Sequence, residues 1–217
     1  MKPTQPLAPR LDACRSFDEG WEDSFDLLVA RLRRAGSGTG APKVGHRFPD
    51  FALPDITGRL HRLSDMLGSG PIILSFNRGA WCPFCNAEIR AWSEQSDRLA
   101  DLGARLVVVT AETGGRAKGL ANLAGPGATV LSDADMGVAL QTGLAFPIGE
   151  EIARRYAEEG IDLQAIFGRA SGLLPIPATF ALGPDQRVLF TFADPDFRLR
   201  AEPDDVLSIL SEAMQGD

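Results

Sequence analysis

Trp81-Cys82-Pro83-Phe84-Cys85 places two of the chain's three cysteines one helical turn apart, directly after the apolar run Ile72-Ile73-Leu74-Ser75-Phe76. The run reads as a strand, and Pro83 suits the first position of a helix, where its missing N–H costs nothing. Beyond it Ile89, Trp92, Leu99 and Leu102 recur at helical spacing, with Glu88, Arg90, Glu94, Asp97 and Arg98 between them. A helix is therefore expected over 83–101. The thiolate is the reactive form of cysteine, and a helix N-terminus favours it through unpaired N–H groups and the positive end of the macrodipole. Residues at i and i+3 share a face about 5 to 6 Å apart, within reach of a disulfide after modest adjustment. Cys82 is expected to sit exposed at the turn, with Cys85 buried behind it.

Outward from this motif, short β patterns alternate with helical ones. Strands are expected at Ile72 to Phe76, Leu106 to Thr110, Thr129 to Leu131, Thr179 to Leu182 and Val188 to Phe192. Further helices are expected over 134–142, 149–159 and 203–214, the last opened by Pro203 with Asp204 and Asp205 in its first turn. The alternation implies a βαβ unit with parallel strands, and Gly183-Pro184-Asp185 implies a closing hairpin, so the class is α/β with an antiparallel portion. Upstream, Ala13, Phe17, Trp21, Phe25, Leu28 and Leu32 follow steps of three to four, which predicts one amphipathic helix over 11–34 ending near Gly36. The Gly/Ser/Pro-rich stretch from Gly36 to Gly45 reads as a linker. Residues 1–43 are thus an N-terminal helical arm and linker, and 44–217 the main domain. The arm's apolar face needs a partner, and a homodimer is the expected way of supplying one.

The chain has 217 residues and a net charge of −7, which speaks against a phosphate-binding surface and hence against nucleic acid as a partner. Met1 to Arg10 holds three prolines and no apolar leader core, and no run approaches the roughly 18 apolar residues of a membrane span. A soluble cytoplasmic protein is expected, in which Cys82 and Cys85 cycle rather than stay bonded. Half of a zinc site is the bland alternative for the pair. Cys14 lies far off in the arm, however, and His46 and His61 show no paired spacing. Cys14, on the arm's apolar face, reads as a buried inert thiol.

With the strand, the C-x-x-C at a helix start and Pro177 ahead of the late strand, the chain resembles the thioredoxin-like superfamily, and within it the peroxiredoxin family. Val44-Gly45-His46-Arg47-Phe48-Pro49-Asp50-Phe51 is similar to the family's entry segment. Arg78-Gly79-Ala80-Trp81-Cys82-Pro83-Phe84-Cys85 resembles a subgroup carrying R-G-x-W-C-P-x-C, and Asp194-Pro195-Asp196-Phe197 ahead of Arg198 and Arg200 resembles that subgroup's ending. The resemblance spans roughly residues 44–214. It implies a thioredoxin-like fold, a central mixed β-sheet flanked by helices, with no metal or organic cofactor. It also implies that Cys82 attacks a peroxide and becomes a sulfenic acid, and that Cys85 resolves it into a disulfide reduced by thioredoxin, glutaredoxin or glutathione. Trp81, Pro83, Arg78 and Pro177 are the expected site-shaping residues, with Pro177 as a cis proline facing the cysteines.

Three positions depart from the family pattern. Ser75 stands where most members carry Pro, Gly79 where they carry Thr, and Pro177 where many relatives place an Arg that lowers the thiol pKa. Arg78, Arg154 and Arg198 are the candidate replacements for that cation. Arg198 and Arg200 with Asp194 and Asp196 read most simply as a solvated loop, and subgroup resemblance alone makes them site candidates. Two alternatives stand beside the peroxidase: a thiol-disulfide oxidoreductase acting on protein disulfides, and a non-catalytic regulatory or assembly protein.

Overall fold

The computed structural model describes residues 5–15, 20–168 and 172–215. Helix α1 spans Leu7–Cys14 and α2 Glu22–Arg34. The hairpin strands β1 (Ala52–Pro54) and β2 (Leu60–Arg62) precede the short α3 (Leu63–Leu67) and the strand β3 (Ile72–Asn77). Then come α4 (Pro83–Ser93), α5 (Ser96–Asp101), β4 (Arg105–Thr110), α6 (Lys118–Ala124), β5 (Thr129–Ser132) and α7 (Gly137–Gln141). The remainder is β6 (Ala145–Pro147), α8 (Glu150–Glu158), α9 (Leu163–Phe167), β7 (Leu173–Pro175), β8 (Ala178–Leu182), β9 (Val188–Ala193) and α10 (Pro203–Gln215).

The central sheet has the order β5-β4-β3-β8-β9. Strands β3, β4 and β5 are parallel, while β8 pairs antiparallel with both β3 and β9. This is the expected mixed sheet. Along β3, Ile72, Leu74 and Phe76 enter the core shared with the arm, whereas Ile73 packs on the other face with Trp92 and Leu207. A strand covered on both faces accounts for the unbroken apolar run.

The arm is two helices rather than one. Gly20, at φ +79°, lies outside the helical range and separates α1 from α2, and Phe17 lies outside the described residues. Helix α2 ends in a Schellman motif: Ser37 N–H reaches Leu32 O, Gly36 N–H reaches Arg33 O, and Gly36 takes φ +67°. The apolar face that suggested a homodimer is filled within the chain, since Leu7, Leu11, Cys14, Trp21, Phe25, Leu28, Val29 and Leu32 are all buried. Polar ties fix it there. Both Glu202 carboxylate oxygens accept from Leu7 N–H, Arg10 grips Glu94 with two hydrogen bonds, and Arg31 donates to the carbonyls of Pro147 and Ile148.

The expected helix over 83–101 is broken. Gln95 N–H bonds three residues back to Trp92 O, ending α4, and its side chain turns to donate to Asp204 Oδ1 at 3.0 Å. No helix among the described residues is long and apolar enough to cross a membrane.

Candidate active site

Strand β3 delivers the chain to Arg78 and Gly79, and α4 begins at Pro83 with Cys82 as its N-cap residue. Gly79 takes φ +133°, and a Cβ there would lie 2.6 Å from Glu112 Cδ. The Glu112 carboxylate fills that space and accepts the Ala80 N–H at 3.1 Å, holding the turn ahead of the cysteines. Burial pushes the Glu112 carboxyl above its ordinary pKa, against the Ala80 hydrogen bond that lowers it.

Cys82 is not exposed. It is 1% accessible and Cys85 is fully buried, both as thiols. The arm and the α8 region account for this: Trp21 stacks on Tyr156 with centroids 4.8 Å apart, and Phe25 meets Phe197 edge to face at 4.9 Å. Between these rings and the α4 N-terminus lies a pocket of ≈ 400 Å³ with Arg78, Trp81, Cys82, Pro83 and Phe84 in its lining.

Two arginines face the cysteine pair. Arg78 is buried between aromatic faces, 4.6 Å from the Trp81 centroid and 4.1 Å from that of Phe197, and donates through Nη2 to Tyr156 Oη at 2.7 Å. Its Nε is buried without a partner. Trp81 is locked in turn by its Nε1–H to Arg78 O at 2.9 Å. Arg200 donates through Nη2 to Cys85 Sγ at 3.4 Å and through Nε to Glu88 Oε2 at 2.6 Å. Glu88 Oε1 accepts from Ser75 Oγ at 3.0 Å and Thr179 Oγ1 at 3.1 Å, and Asn77 donates to Ser75 Oγ at 2.8 Å. Burial raises the Glu88 carboxyl despite Arg200.

The electrostatics split the pair. Burial alone raises the Cys82 pKa, but the Cys85 thiol as proton donor, then Arg78, then Arg200, bring it down from 9.0 to about 6. The Cys85 N–H makes no capping hydrogen bond to it and adds a smaller contribution. Cys85 moves the opposite way: burial and then the neighbouring Cys82 push it well above its ordinary value. At neutral pH the arrangement is a thiolate at Cys82 beside a protonated thiol at Cys85. The thiolate is the more nucleophilic of the two forms.

Of the expected site residues, Arg78, Trp81, Cys82 and Pro83 surround one pocket with Cys85 directly behind. Pro177 is buried at the entry to β8 but does not line that pocket. It is not a cis proline, since no cis peptide occurs among the described residues. Ile176 is bonded to Leu144 and Ala178 already pairs with Phe76, so the chain runs extended through Pro177 without reversing. Among the candidate cations, Arg78 is the one at the site. Arg154 pairs with Glu158 on the surface, and Arg198 is bound to Asp196 and Asp26. The solvated loop is in fact largely buried, and its Arg200 is the second cation. Glu88, Glu112, Tyr156, Trp21 and Phe25 were not foreseen as site residues. The available signal for Glu88 was its position three residues after Cys85 on one helix.

The AhpC/TSA family model matches residues 44–190. The chain is similar to the crystal structure of peroxidoxin BcpB from Mycobacterium tuberculosis, at 27% identity and a TM-score of 0.59 over 79% of this chain and 97% of that one. Peroxiredoxin 6 of Arenicola marina shares the fold at 16% identity, with a TM-score of 0.61 over 79% and 73% of the two chains. Thiol-disulfide oxidoreductase ResA of Geobacillus thermodenitrificans is 30% identical over 148 residues, 68% of each chain. With the thiolate and thiol held at the start of one helix in a thioredoxin-like sheet, the chain is a thiol-based redox enzyme and belongs to the AhpC/TSA family, the peroxiredoxins.

Proposed function

We propose that the protein is a thiol peroxidase acting on hydrogen peroxide or organic hydroperoxides. The observation that carries this reading is the Cys82 thiolate in the lining of a half-open pocket, with the Arg78 guanidinium beside it. The thiolate sulfur attacks the terminal peroxide oxygen. A sulfur–oxygen bond forms, the O–O bond breaks, and the departing oxygen leaves with the electron pair and takes up a proton as water or an alcohol. Cys85 then condenses with the Cys82 sulfenic acid, releasing water and forming the disulfide, which protects Cys82 from overoxidation. An external thiol or dithiol returns the pair to its reduced state. Thioredoxin, glutaredoxin and glutathione are the reductants this chemistry admits, and a reducing compartment such as the cytoplasm suits it.

The second reading, reduction of protein disulfides, is supported by the C-P-x-C spacing and the likeness to a thiol-disulfide oxidoreductase. The burial of Cys82 favours a small peroxide over a folded protein's disulfide as the oxidant of the reduced form, in which the sulfur is 1% accessible. Peroxide consumption with a dithiol reductant separates the two. Cys82→Ser is expected to abolish turnover, and Cys85→Ser to retain a single oxidation but recycle poorly. Wild-type protein that ignores peroxide yet rapidly reduces a model protein disulfide would reverse the order of the readings.

A further inference from the structure

The pocket over Cys82 is larger and more apolar than hydrogen peroxide requires. Its ≈ 400 Å³ falls among small-molecule sites, which run from about 300 to 1,000 Å³, whereas a water takes up about 30 Å³. The walls are rings: Trp21 stacked on Tyr156, and Phe25 edge-on to Phe197. Ile161 lies partly exposed in the same lining.

The polar groups in the lining include Cys82, Arg78, Asn86 and Glu159, the last accepting from Trp21 Nε1–H at 2.7 Å. The Arg78 Nε and Asn86 Oδ1 are each buried without a partner. A ring-walled lining with these few polar groups matches a ligand with a polar group and an apolar body. Trp21 and Phe25 precede residue 44, where the family match begins, so the arm adds a wall that the matched segment does not supply.

We propose that this pocket selects organic hydroperoxides with an aromatic or branched-alkyl body over hydrogen peroxide, and that Phe25 in the arm and Ile161 set the size it accepts. The proposal rests on the peroxidase reading. The chemistry is the step given above with R–OOH as substrate: sulfur bonds to the terminal oxygen, the O–O bond breaks, and R–O⁻ leaves and is protonated to the alcohol.

The test is single-turnover oxidation of pre-reduced protein without any reductant, followed by thiol loss, with cumene hydroperoxide and hydrogen peroxide as probes and free cysteine as the reference. Wild-type protein is expected to prefer cumene hydroperoxide by about tenfold or more after normalisation to free cysteine. Ile161→Phe, which adds bulk to the lining, should lower the cumene-to-hydrogen-peroxide ratio by about tenfold or more, since one methylene in an apolar pocket is worth about 10- to 200-fold. Phe25→Leu, which opens the wall, should move the ratio without the loss of folding that an alanine risks. A normalised wild-type ratio near or below one, or a ratio that neither variant moves, overturns the proposal and leaves the peroxidase reading standing. Absence of reaction with either peroxide removes both.

Discussion

Replacing Arg78 by glutamine removes one of two full positive charges that hold Cys82 as a thiolate, while keeping a polar side chain near Tyr156. Cys82 stands at about 6 against an ordinary 9.0, a preference for the thiolate of ~4 kcal/mol. Burial opposes that preference, so the Cys85 thiol, Arg78 and Arg200 together contribute more than the net value. A neighbouring opposite charge moves a pKa by about 1 to 3 units, which puts Cys82 in Arg78→Gln between about 7 and about 9. Its thiolate fraction at pH 7 then falls from about 90% to between about 50% and 1%. Because the thiolate is the nucleophile, the rate of alkylation by iodoacetamide falls in proportion. The sign is fixed: the wild-type rate rises with pH through a midpoint near 6, and the variant's midpoint moves upward. Measurement from about pH 4 to about pH 10, with the modified cysteine located by peptide mass, reads the shift directly. Arg78→Lys keeps the charge and should recover part of it. A midpoint still near 6 in Arg78→Gln, with an unchanged thermal melt, would refute the electrostatic account of the nucleophile.

Two further perturbations address the surroundings of the pair. Gly79→Thr, which restores the residue most of the family carries, forces a β-branched side chain to φ +133° and into Glu112. A loss of roughly 1 to 3 kcal/mol or more is expected in urea unfolding, and Glu112→Ala should recover only the steric part; a neutral effect would discard this reading of the turn. Glu88→Leu or Arg200→Met alone leaves a buried charge unpaired and should cost about 3 to 5 kcal/mol. The double variant should be milder than the sum of the two, and strict additivity in denaturant unfolding would mean that the pair is not coupled.

What was legible in the sequence was local. The apolar run into β3, the proline at the first helical position and the i, i+3 cysteines are contiguous, and each carries its own physical signal. The strands of the central sheet were found for the same reason. Strands β1, β2, β6 and β7 were not, because three residues are too few to express a period. The site followed the same division. Arg78, Trp81 and Pro83 lie beside the cysteines in the chain, whereas Tyr156, Phe25 and Glu112 arrive by packing across long separations that periodicity does not register. Arg200 was misread for a related reason, since charged residues in a Pro-rich loop are normally solvated and only tertiary structure encloses this one with Glu88.

Two of the three departures from the family pattern each make room for a buried carboxylate beside the cysteine pair. Ser75 occupies a central strand position paired with Val108 and Thr179, where a proline would remove a ladder donor. Its hydroxyl instead donates to Glu88, Glu88 holds Arg200, and Arg200 donates to Cys85. The cation therefore reaches the cysteine pair from the loop ahead of α10, and none is needed at the position of Pro177. On the other side of the turn, the space beside Gly79 is taken by the Glu112 carboxylate, which positions Ala80 and hence the start of α4. Ser75 and Gly79 thus each accommodate a buried carboxylate, Glu88 on one side and Glu112 on the other, and these do positioning around the cysteine pair that the more common residues do not.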